Sequence, residues 1–273
     1  MSAVARFLAD VGDPSRPAIG ERVVVVVAHP DDETLGCGAL LPRLRDLRLV
    51  HVTDGAPPDG ADAERCGYAS PADYAEARRG ELAAAMALAG VPADHRAGLD
   101  TPDQAAAYKM AGITGRLLPL LDGAAIVLTH AFEGGHPDHD ATAFAVHAAS
   151  RLLGPGRGPA IVEMPFYRAD LAGDHGMVRS SFAAPEGVTV LCLGDAERRL
   201  KAAMLAAHAS QAETLGPFGV ADEAFRPAQE IDFLARPNGG LVLYDSFGWQ
   251  LDGDDFRDWA RIARVELGFD RPA

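Results

Sequence analysis

The sequence predicts an α/β protein, a three-layer Rossmann-like sandwich on a mostly parallel central sheet. Short apolar, β-branched runs alternate with segments of helical period through the first 165 residues, and the two most polar turns each directly follow such a run. Glu21 and Arg22 are followed by five valines and Ala28, a run too short for a helix and apolar on both sides, as the central strand of a parallel sheet requires. Residues 34–45, with leucines at 35, 40, 41 and 44, read as a helix packing back on that strand. The next strand is expected at 47–53, ended by turn-forming Asp54 and Gly55. Residues 54–72, rich in Gly, Pro, Ala and Asp, read as a long loop of the kind that carries substrate contacts.

A helix is expected over 71–90, where Tyr74, Arg78, Glu81, Leu82, Ala85 and Leu88 recur near the helical period before Gly90 and Pro92 close it. Another is expected over 104–121, then a strand at 124–129 and a helix over 138–153. Strands at 160–164 and 188–193, an alanine-rich helix at 195–210, a strand-like 241–244 and a last helix at 255–265 follow. With no repeat or linker, residues 1–273 read as one domain.

Lys and Arg total 25 against 39 Asp and Glu, a net charge of -14 that repels nucleic acid and anionic membranes, so neither is expected as a partner. The apolar run at 23–28 is about a third of the length that spans a bilayer, so neither signal peptide nor transmembrane helix is expected. Cys37, Cys66 and Cys192 lack the spacing of a zinc knuckle or disulfide framework and read as small buried residues in a reducing cytoplasm.

Two motifs carry chemistry. AHPDDETLGCG, residues 28–38, stands at the carboxyl end of the valine strand, where open α/β sheets bind ligands. GGHPDHDA, residues 134–141, again follows a strand and opens a helix, with His136 and His139 three apart on one side of its first turn. Buried acids are costly unless solvated, paired or bound to a cation. If the two strands are neighbours, His29, Asp31, Asp32, His136, Asp138 and His139 come together as a donor set suited to zinc or a similar first-row ion.

These paired motifs resemble the PIG-L/LmbE family of N-acetylglucosaminyl deacetylases. The match extends to Thr53-Asp54-Gly55, to Arg78 with Glu81, and to Lys201 followed by His208, Ser210 and Gln211, over about residues 22–215. The resemblance implies zinc, or another divalent first-row metal, on His29, Asp32 and His139, with a position left open for water as catalytic sites require. It implies Asp31 as general base, His136 as the charged histidine that steadies the oxyanion, Asp138 as its orienting partner, and Arg78 as a contact to substrate hydroxyls. Arg78 also reads as an i,i+3 partner of Glu81 on a solvated helix face. The implied activity is hydrolytic removal of an N-acyl group from an amino sugar or sugar-containing small molecule, with self-association left open.

Departures from the family pattern are local. Phe132-Glu133-Gly134-Gly135 precedes HPDH, without the tyrosine some members carry there, and the 54–72 loop has its own composition. An amidase for another acyl group or a thiol conjugate, and a carbohydrate-binding protein, are the alternative readings. A dinucleotide site is disfavoured, since Gly36-Cys37-Gly38 lacks the third glycine. His130 is expected either at the pocket or packed, His208 as structural support, and His51, His95, His147 and His175 in surface or core roles. Trp249 and Trp259 are expected to be packing residues.

Overall fold

Alternate valines of the first strand serve opposite faces of one sheet. The computed structural model describes residues 1–13, 15–16, 18–171 and 176–270, so His175 lies outside the described residues. Strands β1 (Ile19–Val27), β2 (Leu44–Thr53), β3 (Arg96–Thr101), β4 (Ile126–His130) and β5 (Ala160–Met164) are parallel in the order β3-β2-β1-β4-β5. A two-stranded antiparallel ribbon, β6 (Tyr167–Ala169) and β7 (Met177–Arg179), follows. The sheet is then extended by β8 (Thr189–Cys192) at its edge and β9 (Asp222–Pro227), which runs against both β5 and β8.

Helices α1 (Ala3–Gly12), α2 (Asp32–Cys37), α3 (Ala61–Arg65), α4 (Pro71–Leu88), α5 (Met110–Leu121), α6 (Pro137–Leu153), α7 (Asp195–Ala207), α8 (Ala212–Leu215) and α9 (Gly253–Glu266) complete the chain. Val23, Val25 and Val27 pack in one apolar layer with Phe7 of α1, Met86 of α4 and Met204 of α7. Val24 and Val26 pack in the other, with Ile113 of α5, Val146 of α6 and Phe256 of α9. All five valines are fully buried, each contributing roughly 1.5–3 kcal/mol. This is the expected sandwich. The order reverses between β1 and β4, and that switch point opens the crevice where ligands bind in such sheets.

Several elements differ from the sequence reading. The helix expected over 34–45 ends at Cys37, because Gly36, Gly38 and Pro42 do not sustain it, and β2 begins at Leu44 rather than 47. Edge strand β3 was not expected: a solvated edge tolerates Arg96 and Asp100, so its apolar pattern is weak. The 54–72 loop contains α3, and 241–244 is no strand but leads into a 3₁₀ turn over Leu243–Ser246. Of the cysteines Cys37 is buried, Cys66 intermediate and Cys192, on edge strand β8, exposed. The lysine of α7 has a structural use: Lys201 Nζ donates to Leu35 O at 2.8 Å and pairs with Glu223 Oε1 at 2.9 Å, tying α7 and β9 to α2.

His147 of α6 packs against Phe233, ring centroids 5.4 Å apart, with its Nε2 buried and without a partner. Burial pulls its pKa from 6.5 down to about 4, so between those values the unfolded chain binds a proton that the folded chain refuses. The corresponding stability is present above pH 6.5 and is lost as pH falls toward 4. Urea unfolding at pH 7 and pH 5 should show the natural chain losing about 2 kcal/mol more than His147→Leu. Equal losses would show that this imidazole does not set the acid sensitivity.

Candidate functional site

The two motif turns meet because β1 and β4 are paired neighbours. His29 and Asp31 follow β1, Asp32 opens α2, and His136 caps α6 with Asp138 and His139 in its first turn. His29 Nδ1 lies 3.2 Å from one oxygen of Asp32, and His139 Nε2 lies 3.3 Å from the other. Donor atoms of His29, Asp32 and His139 all fall within 4.8 Å of one another. Donors about 2.0–2.2 Å from a shared tetrahedral ion stand roughly 3.3–3.5 Å apart, so this spacing and this nitrogen–oxygen set fit a zinc-like cation.

The decisive neighbour is one that sequence reasoning missed. Asp103, in the loop after β3, places Oδ1 3.0 Å from His29 Nε2, with Asp138 Oδ2 at 3.4 Å from the same nitrogen. A neutral imidazole that donates from Nε2 turns the Nδ1 lone pair toward Asp32, which is the arrangement a metal-binding histidine needs. Burial opposes charging His29, but the carboxylates of Asp103, Asp138 and Asp32 outweigh it and raise its pKa well above the usual value. Asp32 is held well below the carboxylate range: burial opposes this, and His139 and His130 overcome it. The one sequence signal for Asp103 is Pro102-Asp103 after a strand, repeating the Pro-Asp pair of both motifs.

Asp138 and His136 touch through the backbone. Asp138 N–H donates to His136 Nδ1 at 3.1 Å, whereas the Asp138 carboxylate accepts from Gln104 N at 2.6 Å and Ala106 N at 3.0 Å. A ring that accepts at Nδ1 carries its proton on Nε2 and is neutral, in contrast to the charged histidine the resemblance implies. Burial and then the neighbouring His29 also hold the His136 pKa well down.

Asp31 sits at φ 133, a strained backbone for a residue with a Cβ. Its N–H donates to Glu33 Oε2 at 3.0 Å, and Glu33 is gripped from behind by His51 Nε2 at 2.9 Å and His208 Nε2 at 3.4 Å. His51 and His208 thus share one buried acid under the site. Desolvation raises the Asp31 pKa to about 7 against the pull of Arg78, whose Nη2 donates to Asp31 Oδ2 at 2.8 Å. Arg78 is buried, and it also donates to Pro30 O and Gly55 O, each at 2.6 Å. It is no partner of Glu81, which instead accepts from Ser210 N at 2.7 Å and Ser210 Oγ at 2.8 Å.

The floor opens into a cavity of about 370 Å³ whose walls include Tyr167, Arg179, Phe218 and Trp249. Trp259 packs edge-on against Tyr108, and both tryptophans pack against the apolar layer of α5, α6 and α9, as expected; Trp249 also stands in the cavity wall, edge-on to His136 at 4.9 Å. His130 is buried beneath the site, stacked on His139 at 4.0 Å and accepting Ala28 N–H at 2.8 Å.

Gly55, in the turn after β2, explains its own identity: at φ 69 an added Cβ would also overlap the Arg78 guanidinium. Gly60, at φ 79, has only the ring of Pro71 nearby, at 3.7 Å. Gly60→Ala should therefore cost about 1 kcal/mol of backbone strain, and Gly55→Ala about 2 kcal/mol more, read by urea denaturation. Equal costs would mean that Arg78 moves aside freely.

Residues 24–150 match the family described as "PIG-L: GlcNAc-PI de-N-acetylase". The chain is 33% identical over 161 residues to 1D-myo-inositol 2-acetamido-2-deoxy-alpha-D-glucopyranoside deacetylase 2 of Saccharopolyspora erythraea, covering 50% of this chain and 58% of that relative. Its fold is similar to a deacetylase of the teicoplanin biosynthesis pathway, with TM-score 0.58 and 19% identity over 77% of this chain and 99% of that one. It is also similar to N,N'-diacetylchitobiose deacetylase from Pyrococcus horikoshii, with TM-score 0.53 and 20% identity over 83% and 91%. At such identities the structural likeness is one of fold, while the sequence likeness to the PIG-L family model is confined to residues 24–150 and the chain spans 58% of the length of its inositol-sugar deacetylase relative.

Proposed function

We propose that this chain is a metal-dependent hydrolase that removes an N-acetyl group from an amino sugar or a sugar-containing small molecule. The observation that carries the reading is the convergence of His29, Asp32 and His139 beside Asp31 at the floor of a cavity large enough for a small molecule. The sequence relative supports the substrate class, since its name specifies an acetamido sugar.

His29, Asp32 and His139 would hold the ion, zinc by donor type, with other first-row divalent ions suited to the same set. When bound, it supplies Lewis acidity that makes water easier to deprotonate and the amide carbonyl easier to attack. Asp31 accepts the proton of the attacking water, and a pKa of about 7 lets it take that proton and release it at neutral pH. Arg78 engages only Oδ2 of Asp31 among the described residues, which leaves Oδ1 to the water. His136, with its proton on Nε2, donates to the oxygen on which charge develops; losing one such donor commonly costs about 3 kcal/mol. Asp138 fixes that tautomer through its N–H, and Asp103 orients His29. The proton on Asp31 then goes to the departing amine. Arg78, buried and bonded three ways, acts by holding Asp31 and the turn after β2 rather than by reaching far into the cavity.

Metal-replete and chelator-treated protein should be compared for acetate release from a panel of N-acetylglucosamine derivatives and simple acetamides. Metal-dependent release confined to the sugars is expected; release from simple acetamides alone would make the chain an amidase of another kind, and none from any would end the hydrolase reading. Asp31→Asn should retain its metal and lose about 10²- to 10⁴-fold in turnover, whereas His139→Ala should lose the metal. Equal metal loss in both variants would break the division between base and ligand.

A further inference from the structure

We propose that Trp249 is the platform on which the substrate's sugar ring stacks, so that a segment beyond the matched family region decides that the substrate is a pyranoside. The inference rests on the deacetylase reading and names the part of the substrate that this wall recognises.

Three observations carry it. The indole is partly exposed in the cavity wall, and its centroid lies 4.9 Å from that of His136, within one sugar-ring width of the group that meets the reacting amide. The ring that bears the acetamido group, rather than a distant substituent, therefore falls against Trp249. Second, the indole is braced but not covered. Phe247, itself 37% exposed, meets it at 4.8 Å, and both this contact and that with His136 are inclined at 65°, so neither ring lies stacked on it. The carboxylates and imidazoles of the floor suit sugar hydroxyls and not the C–H face of a pyranose. An aromatic ring suits that face. Of the lining rings Tyr167, Phe218, Phe247 and Trp249 it is Trp249 that meets His136.

Third, the segment is fixed to the site helix. Leu243 N–H donates to Gly134 O at 2.7 Å, and Tyr244 Oη donates to Asp140 Oδ2 at 3.0 Å in the first turn of α6. Asp245 Oδ1 accepts Gly253 N–H at 2.8 Å, closing the segment onto α9. Trp249 lies between these anchors, on a segment tied to the same scaffold that presents His136 and His139 and packed against the adjoining apolar layer.

The test uses the metal-loaded full chain and N-acetylglucosamine. Because stacking stabilises ground state and transition state alike, Trp249→Ala should raise KM about 10-fold with kcat kept within about twofold, and Trp249→Phe should recover most of the loss. The chain has two tryptophans, so Trp259→Phe leaves Trp249 as the sole emitter. Its fluorescence should change saturably with added N-acetylglucosamine when turnover is blocked by chelation, and with the product glucosamine. A variant that loses kcat at unchanged KM would show that Trp249 acts only by propping His136, and an emission unmoved by sugar would overturn the platform. Trp259→Phe protein that responds in fluorescence yet releases no acetate would uphold the platform while the deacetylase reading failed.

Discussion

Asp31, Asp32, Asp103 and Asp138 lie at one end of the sheet, each less than 10% exposed, and among the described residues the arginine bonded to them is Arg78. Carboxylates do not stay ionised in such surroundings without compensation. Part of it is local: Asp138 takes two backbone N–H groups, Asp31 takes the guanidinium, and Asp32 and Asp103 face imidazoles. The remainder is a deficit of positive charge at the place where His29, Asp32 and His139 converge. The chain can meet it by protonating imidazoles, as the raised pKa of His29 indicates, or by a cation there. A cation satisfies more of the geometry, because it uses the Nδ1 lone pair that an Nε2-protonated His29 presents to Asp32.

The fold brings these groups together by a division of labour. The body of the sheet is apolar on both faces and indifferent to the chemistry at its end, since the valines of β1 are buried whatever follows them. The carboxyl ends absorb the strain. Asp31 at φ 133 persists because its neighbours over-determine it: Glu33 accepts its N–H, Arg78 holds both its carboxylate and the carbonyl of Pro30, and His51 and His208 keep Glu33 ionised against burial. Gly55 admits Arg78 into this arrangement. The glutamate of the first motif and the late histidine are thus supports of a backbone conformation.

What is legible in the sequence follows from how local each signal is. The valine run, the helices at 71–88 and 137–153 and the two histidine–aspartate turns announce themselves within a few residues, and the alternation of strand and helix announces a parallel sheet, but the pairing of β1 with β4 is a property of the folded sheet that alternation alone leaves open. Asp103 is hidden because its meaning depends on where an edge strand of weak pattern ends, and His51 and His208 because their common partner, Glu33, is 18 and 175 residues away along the chain and is itself unremarked in a helical turn. Antiparallel β9 is hidden for a related reason: Glu223 looks like a surface acid until Lys201 is placed beside it. Arg78 is conspicuous, but its three acceptors come from separate turns, so its buried role cannot be read from its helix alone.

Gly134 and Gly135, immediately before the second histidine turn, show how the rest of the chain is joined to the His–Asp cluster. A Cβ on Gly135 would collide with the carbonyl of Tyr167, and one on Gly134, at φ 70, would crowd Pro237 and Val242. The first contact seats the β6–β7 ribbon and the second seats the segment that leads to Trp249, and both segments contribute cavity walls. Both lie after residue 150, outside the matched family region, yet they close directly onto the turn that carries His136 and His139. The walls also touch the histidines of that turn, Trp249 meeting His136 at 4.9 Å and Tyr167 meeting His139 at 5.3 Å. The His and Asp donors thus stand at strand ends within residues 24–150, and part of the cavity wall comes from segments docked upon them.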